Sequence, residues 1–495
     1  MGTTFGSALA ASLLPEILLL ALATVCAVLG TFWPGRRPDL YRWIAVIGLL
    51  GAVTSSAYTL HATARSTDGI ALVVWGGGLV VDHFSLYITV VACAFALITC
   101  LTSDAYLRRI PTRSGAFFAT VLVITAAVAA LAAEHEMASM FLTLEVVVIG
   151  STLIQALVKT DDRSVEASWK HLIEGAVASA LLLYGFAILY GVAGSTSLTA
   201  VGAAAHRAPA AAALGITLVL IGLAFPLGIA PLRAWVSRAA EATPATAAGF
   251  VITMGTAAGA VAWLRFGVSG LGDAVLPWVG LTAVLAAFAL LYAAFTALRE
   301  QRMSRLAGAM ASGQAGLLLL ALLGAGPGVS SGSASGSTAF LFALGVFGVS
   351  VLGTFSVVSI LQTARLPDDI AEFRGLGRRS PSAALMLAIS LAALAGAPPA
   401  AGFLARILLL EPAIDAGYAW VAAVAAIALA ILAVPVIRLV ASMYADSGGE
   451  APFTMAASPW MTRIVAGACC ASAVFATVLA QPLLLLAQGA AAPIH

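Results

Sequence analysis

Two residues in this chain are of types and in positions that suit proton transfer. Glu145 lies midway along the apolar run FLTLEVVVIG (141–150), and Lys170 opens a second run, SWKHLIEGAVASALLLYGFAILYG (168–191). A carboxylate at bilayer depth costs about 2.5–3.5 kcal/mol on insertion scales, so its presence there marks a functional site. The structural alternative is a glutamate that hydrogen-bonds to a neighbouring helix. A lysine buried beside a carboxylate has an acidity tuned for handling protons, which is the chemistry these two residue types offer together. Glu174 follows Lys170 by four residues, one helical turn, and is placed to neutralise it within the helix.

The elements that hold these groups are membrane helices. Of 495 residues, 61% are hydrophobic and 9% charged, and the mean hydropathy is +1.04. Apolar runs of about 20 residues recur along the whole chain, and only helices or closed barrels satisfy their own backbone in lipid. The runs are continuous rather than alternating, which excludes a barrel. The fold class is therefore all-α and polytopic, with about fourteen transmembrane helices. The spans are expected at 13–33, 43–63, 82–103, 115–133, 137–158, 169–193, 211–232, 243–267, 276–298, 305–325, 337–364, 382–410, 413–441 and 461–487. The first run contains LLPE and has no basic region before it, so it reads as a mature helix rather than a signal peptide.

Nineteen of the 24 Lys and Arg residues lie in or beside odd-numbered loops, among them Arg36, Arg37 and Arg109, whereas Arg65, Arg207 and Arg265 lie by even ones. The positive-inside rule then puts odd loops in the cytoplasm and both termini outside. A net charge of +2 offers no basic stripe for nucleic acid. Cys26, Cys93, Cys100, Cys469 and Cys470 all sit in apolar runs without metal-ligand spacing and read as small buried hydrophobes. Nothing in the chain has the pattern of a haem, iron–sulfur, flavin or nucleotide site.

Two spans are interrupted. GLAFPLGIAPLRAW in the seventh carries Pro226, Gly228 and Pro231; LAGAPPAAGFLAR in the twelfth carries Gly396, Pro398, Pro399 and Gly402. Broken helices at matching places in two halves point to an inverted-repeat transporter with ion sites near the midplane. Ordinary proline kinks are the bland alternative. The expected organisation is an N-terminal three-helix segment (1–114), two inverted five-helix repeats (115–267 and 268–445) containing the broken seventh and twelfth helices, and a C-terminal helix (446–495).

In this order, several stretches resemble a known family. LLPEILLL, VVDHFSLYITVVACAFALITCLTSDAYLRR, FLTLE, the lysine-led SWKHLIEG block, GLAFPLGIAPLRAW, REQRMSRLAGAMASGQAGLLLLAL and FRGLGRRSPSAALMLAISLAALAGAPPAAGFLARILLL are similar to the antiporter-like membrane subunits of respiratory complex I, most closely the N-type subunit. The resemblance runs almost end to end. It implies a subunit of a proton-translocating NADH:quinone oxidoreductase in the bacterial cytoplasmic (inner) membrane. The other antiporter-like and small membrane-arm subunits would be its partners. It also implies that this chain binds no cofactor, with NADH, FMN, iron–sulfur clusters and quinone on partner chains. Subunits of Mrp-like cation/proton antiporters and membrane-bound hydrogenases share the same core and stay open as alternatives, as does a non-conducting structural subunit.

In that family a glutamate–lysine pair sets the protonation of lysines in the seventh, eighth and twelfth spans, which form a horizontal wet relay. Glu145 and Lys170 match the pair. The relay positions differ: the seventh-span lysine reads Pro226, the eighth Thr256 and the twelfth Arg406, while two histidine positions read Gln314 and Arg233. Proline and threonine do not titrate at neutral pH, and arginine does not release its proton. These departures imply a blunted or rerouted proton path. Thr143, Ser151, Glu174, Thr253, Thr256, Ser312 and Gln314 are the remaining polar candidates, each also explained as contact between helices.

Other features take plain readings. His83, beside Asp82 at a span entrance, reads as interfacial, and His135, flanked by Glu134 and Glu136, as solvated surface rather than a cation site. Trp33, Trp43, Trp75, Trp235, Trp278 and Trp460 read mostly as an aromatic belt. The charged 365–381 loop reads as a solvated face, with a docking site as the alternative, and the Gly/Ser-rich 324–337 stretch as a flexible connector.

Overall fold

The computed structural model describes residues 12–33, 38–63, 70–108, 110, 113–271, 278–325, 333–445 and 459–491. Arg36, Arg37, Arg65 and Arg109 lie outside these residues, as do 326–332 of the connector and the side chain of Trp75. Among the described residues, thirteen helices are long and apolar enough to cross a membrane. The first six spans are α1 (Leu14–Phe32), α2 (Pro38–Thr63), α3 (His83–Thr102), α4 (Ser114–Ala133), α5 (Met137–Gln155) and α6 (Asp162–Ala193). The seventh is divided into α7 (Pro209–Leu227) and the short α8 (Ala234–Ala242), and α9 (Ala245–Leu264) continues as a π-helical turn to Leu271. Next come α10 (Trp278–Arg299), α11 (Met303–Leu323) and α12 (Ser333–Thr363).

The twelfth span is again two pieces, α13 (Pro381–Ala395) and α14 (Ala401–Asp415), each too short to cross alone. Together they bring the thirteen spans to the fourteen expected. The chain closes with α15 (Ala419–Tyr444), α16 (Trp460–Val478) and α17 (Ala480–Ala491). Pro482 has no N–H to donate to the Val478 carbonyl, and the last span bends there. One antiparallel hairpin, β1 (Ile70–Val74) and β2 (Leu79–Asp82), precedes α3.

Small side chains decide which helices form the centre. The most apolar window of α9, in a segment dominated by Ala, Gly and Thr, is 100% buried, and that of α11 is 94% buried. For α1 the figure is 22% and for α6 33%, so these two face outward with their larger apolar residues. The five cysteines are free and buried, as their apolar settings suggest.

Several plain readings are corrected. His83 is half-buried, but its neighbour Asp82 is fully buried, caps α3 by accepting from the Ser85 N–H at 2.8 Å, and meets the equally buried Arg265 at 2.7 Å through both carboxylate oxygens. The Arg265 Nε donates to the Ala132 carbonyl at 2.7 Å, and its guanidinium lies 4.6 Å from the Phe84 ring. His135 and Glu134 are buried as well, His135 within 3.4 Å of Arg265. Their loop is covered by the β-hairpin, which a local charge pattern cannot reveal. Trp235 and Trp278 are core residues rather than belt residues. The 365–381 loop keeps Arg365, Asp369, Glu372, Arg374 and Arg378 exposed, in keeping with a solvated face, while its backbone is tied down: Ser304 donates its N–H and hydroxyl to Asp368 at 3.1 and 2.8 Å, and the Ile370 N–H reaches the Gln301 carbonyl at 2.8 Å. The connector is helical from Ser333, because Ser337 and Thr338 are buried and tertiary packing overrides a flexible composition.

Glu134 gives this end of the protein a pH dependence. Burial pushes its carboxyl from 4.5 up to about 7, against the opposing effect of the Thr143 hydroxyl that donates to it at 2.8 Å. The folded chain therefore binds the extra proton between those values, so this contribution to stability is complete below pH 4.5 and lost as pH rises through 7. Glu134→Gln should flatten that dependence, removing on the order of 2–3 kcal/mol of variation between acidic and neutral pH. Thermal unfolding of the detergent-solubilised chain across this range checks it; parallel curves for both proteins would refute it.

Candidate functional site

The two helix breaks are built alike. α7 ends at Gly228 (φ +71°) and α13 at Gly396 (φ +68°), both in the left-handed region that glycine tolerates. In the first, the Gly228 N–H bonds the Phe225 carbonyl at 2.9 Å and the Ile229 N–H the Ala224 carbonyl at 3.1 Å. In the second, Gly396 reaches Ala393 at 3.1 Å and Ala397 reaches Ala392 at 2.8 Å. Both are Schellman ends, which satisfy two terminal carbonyls and leave the others for side chains. Pro226 and Pro231 flank the first break, and Pro398 and Pro399 lie in the second.

Side chains from the half-helices and from the central helices add bonds to carbonyls at both breaks. At the first break the Trp235 indole donates to the Phe225 carbonyl at 2.7 Å, and Thr256 of α9 to the Leu227 carbonyl at 3.3 Å. At the second, Gln314 of α11 and Arg406 of α14 both donate to the Leu394 carbonyl, at 2.6 and 2.9 Å. A cavity of about 10 Å³ bordered by Gln314, Ser350 and Leu394 adjoins it, near the smallest space that holds one water. Arg233 ties the first break to its neighbours, donating to Ser312 of α11 at 3.3 Å and to Thr296 of α10 at 3.0 Å. Glu145, Thr256, Gln314 and the two breaks all fall near mid-length of their spans.

The acid–base pair expected from the sequence is not closed. Glu145 is half-buried and accepts from the Ser179 hydroxyl of α6. Lys170 points to the outer face with its side chain 49% exposed, and pairs at 2.5 Å with Glu166, one turn before it. Glu174 does not neutralise Lys170: it crosses to Arg238 on α8. The helix offers Lys170 carboxylates both four residues before and four after, and spacing alone cannot choose between them. Thr143 is engaged by Glu134, and the Thr253 hydroxyl is buried without a hydrogen bond, as is that of Thr246 two turns earlier on α9. Thr243, Glu241, Asp161 and Gln362 line a cavity of about 270 Å³ near the start of this helix.

Sequence reasoning passed over Ser179, Arg238 and His171. His171 is 2% exposed, and its ring centroid lies 5.2 Å from that of Phe225 and 5.0 Å from that of Trp235. A histidine inside an apolar span was the available signal.

Residues 134–432, more than half of the chain and including both breaks, match the family described as NADH:quinone oxidoreductase/Mrp antiporter, transmembrane. The chain belongs to that family. Within it, the chain is 30% identical to the NADH-quinone oxidoreductase subunit N of Moorella thermoacetica, over 82% of this chain and 83% of the relative. It is 26% identical to subunit N of Trichlorobacter lovleyi, over 88% of each. Among solved structures, a chain of respiratory complex I from Thermus thermophilus superposes with a TM-score of 0.77 at 24% identity, covering 96% of this chain and 99% of the other. A chain of the Mrp complex from Dietzia superposes at 0.81 and 20% identity, covering 98% and 96%. These two likenesses establish the fold of this family member, a multi-pass bundle of membrane helices.

Proposed function

We propose that this chain is an N-like membrane-arm subunit of a proton-translocating NADH:quinone oxidoreductase. Quinone reduction on other subunits would drive proton movement through it. The observation that carries this reading is the alignment of polar groups at mid-span: Glu145 with Ser179, Thr256 on the first break, and Gln314 with Arg406 on the second. Polar and ionisable groups at that depth mark an ion path. The likeness to subunit N relatives over most of the chain supports the assembly assignment. The redox groups (FMN, iron–sulfur clusters, NADH and quinone) belong on partner subunits in this reading. The arginine-rich odd loops face the cytoplasm of a bacterial inner membrane, with both termini outside.

Lysine is absent from both breaks, so the path is rerouted through groups that this chain supplies. Arg406 acts as a fixed charge that orders water at the Leu394 carbonyl, not as a proton carrier. The cavity beside Thr243 and the hydroxyls of Thr246 and Thr253 form an access route from the odd-loop side, rising about 15 Å along α9 to the first break.

A gentle detergent pull-down of the chain, with mass spectrometry and an NADH:quinone assay on the eluate, tests the assignment. Flavin and iron–sulfur subunits with NADH oxidation are expected. Recovery with cation-antiporter chains only, and sodium flux without NADH-linked activity, would favour an Mrp-like subunit instead. In vesicles, Glu145→Gln in the assembled complex should lower the protons taken up per NADH oxidised. A ratio equal to wild type would remove Glu145 from the path.

A further inference from the structure

His171 has no place in the path above, yet its surroundings differ from those of a structural histidine. It is wedged between rings from both sides of the first break, Phe225 of α7 and Trp235 of α8. The Val148 backbone lies against one ring nitrogen, and neither nitrogen meets a partner with good hydrogen-bond geometry. Leaving a buried polar atom unmet costs about 1–3 kcal/mol, and a phenylalanine would fill the same aromatic slot without that cost. The charged groups around it are few. Its own helix carries Lys170 and, one turn on, Glu174; α8 presents Arg238, which holds Glu174. From α5 the Val148 backbone faces the ring, with Glu145 one turn away, and α7 contributes no titratable side chain.

We infer that His171 is the protonatable group of the first helix break, and that its charge state selects the partner of Glu174. This deepens the proton-translocation reading and rests on it. In the observed arrangement the carboxylate of Glu174 is held by Arg238. A proton arriving at the break adds to the lone pair of one imidazole nitrogen, and the resulting cation carries N–H on both. Glu174 lies three residues further on the same helix face, within reach of that cation. The imidazolium competes for Glu174 and repels Arg238, so the pair opens. Loss of a proton from the other nitrogen returns the ring to neutral, closes the pair, and moves one proton across the width of the ring with no other bond changed. Burial favours the neutral ring, so the charged form appears only when a proton is delivered to the break, and histidine is the side chain that can hold it there.

The unmutated chain provides the first test. Lys170–His171 is the only Lys–His step in the sequence. Labelling lysine carbonyls with carbon-13 and histidines with nitrogen-15 therefore assigns this one ring in lipid nanodiscs without substitution. Its nitrogen resonances should pass between neutral and charged forms as pH is varied, and Glu174→Gln should lower the proton affinity about tenfold, because it removes the carboxylate and leaves Arg238 unmatched. A ring that keeps one state throughout, or that ignores Glu174→Gln, overturns the inference.

The second test uses the assembled complex in vesicles. His171→Gln and His171→Phe should each lower the protons taken up per NADH and alter the pH profile of that ratio, and wild-type ratios and profiles in both would overturn it. If neither variant assembles, the resonance experiment decides. A wild-type complex that oxidises NADH without proton uptake would defeat the functional reading, and both tests separate that outcome from a failure at His171.

Discussion

Asp82→Ala should destabilise the folded chain by about 3–5 kcal/mol, the cost of leaving one member of a buried ion pair without its partner. Neither side chain of the Asp82–Arg265 pair has any exposure, and the arginine meets both carboxylate oxygens at 2.7 Å. The loss extends beyond the pair because Asp82 also caps α3 through the Ser85 N–H and joins the end of the β-hairpin to that helix. Arg265→Met should be less severe, since it leaves a carboxylate that can take up a proton, whereas arginine remains charged. The double replacement Asp82→Leu with Arg265→Met should recover much of the loss, since a well-packed apolar pair of similar volume often matches a buried ion pair. Unfolding of the purified chain in detergent measures all three. A stability for Asp82→Ala within 1 kcal/mol of wild type would show that the pair is not coupled to folding.

Gly402→Ala should disable the second break. A β-carbon built on Gly402 would stand 2.0 Å from the carbonyl oxygen and 3.0 Å from the carbonyl carbon of Ala393. Both are backbone atoms of the facing half-helix, so no side-chain rotation relieves the clash, and α13 must move away from α14. Overpacking of this kind costs about 1–3 kcal/mol, and more where backbone must shift. The movement also separates Arg406, on α14, from the Leu394 carbonyl on α13 that it reaches at 2.9 Å. The expected result is therefore a joint loss of thermal stability and of proton uptake per NADH. Arg406→Ala removes the same contact without the clash, so it should lower proton uptake with the smaller loss of stability. If Gly402→Ala pumps normally, the spacing of the two half-helices has no bearing on transport.

The fold was legible because lipid imposes a strong pattern. Apolar runs located the spans, and Pro and Gly located both breaks, including the left-handed turns at Gly228 and Gly396. The site was legible only in part. The sequence identifies Glu145 as an acid in an apolar run, but its hydroxyl partner Ser179 lies 34 residues away on another helix. Lys170 had equivalent carboxylates on either side, and only the position of Arg238 draws Glu174 away and leaves Glu166 to the lysine. Arg265 counted as one charge in an even loop; that it lies inside the protein follows from a hairpin and a π-helical turn, neither of which leaves a strong local signature. His171 was hidden by its neighbour, because the lysine drew attention while the ring beside it, about 100° round the helix, faces the core.

The burial of α9 on every side also separates it from its solvent. Its most apolar window has no exposed position, so acyl chains touch it nowhere along that length. Threonines at 246, 253 and 256 therefore carry no hydrocarbon-facing penalty, and the helix is free to be selected for small volume and hydroxyl groups rather than for lipid solubility. Bilayer thickness and headgroup composition act directly on the outer helices, such as α1 and α6, and reach α9 only as strain passed inward. The centre of this subunit is, in effect, insulated from the membrane it sits in.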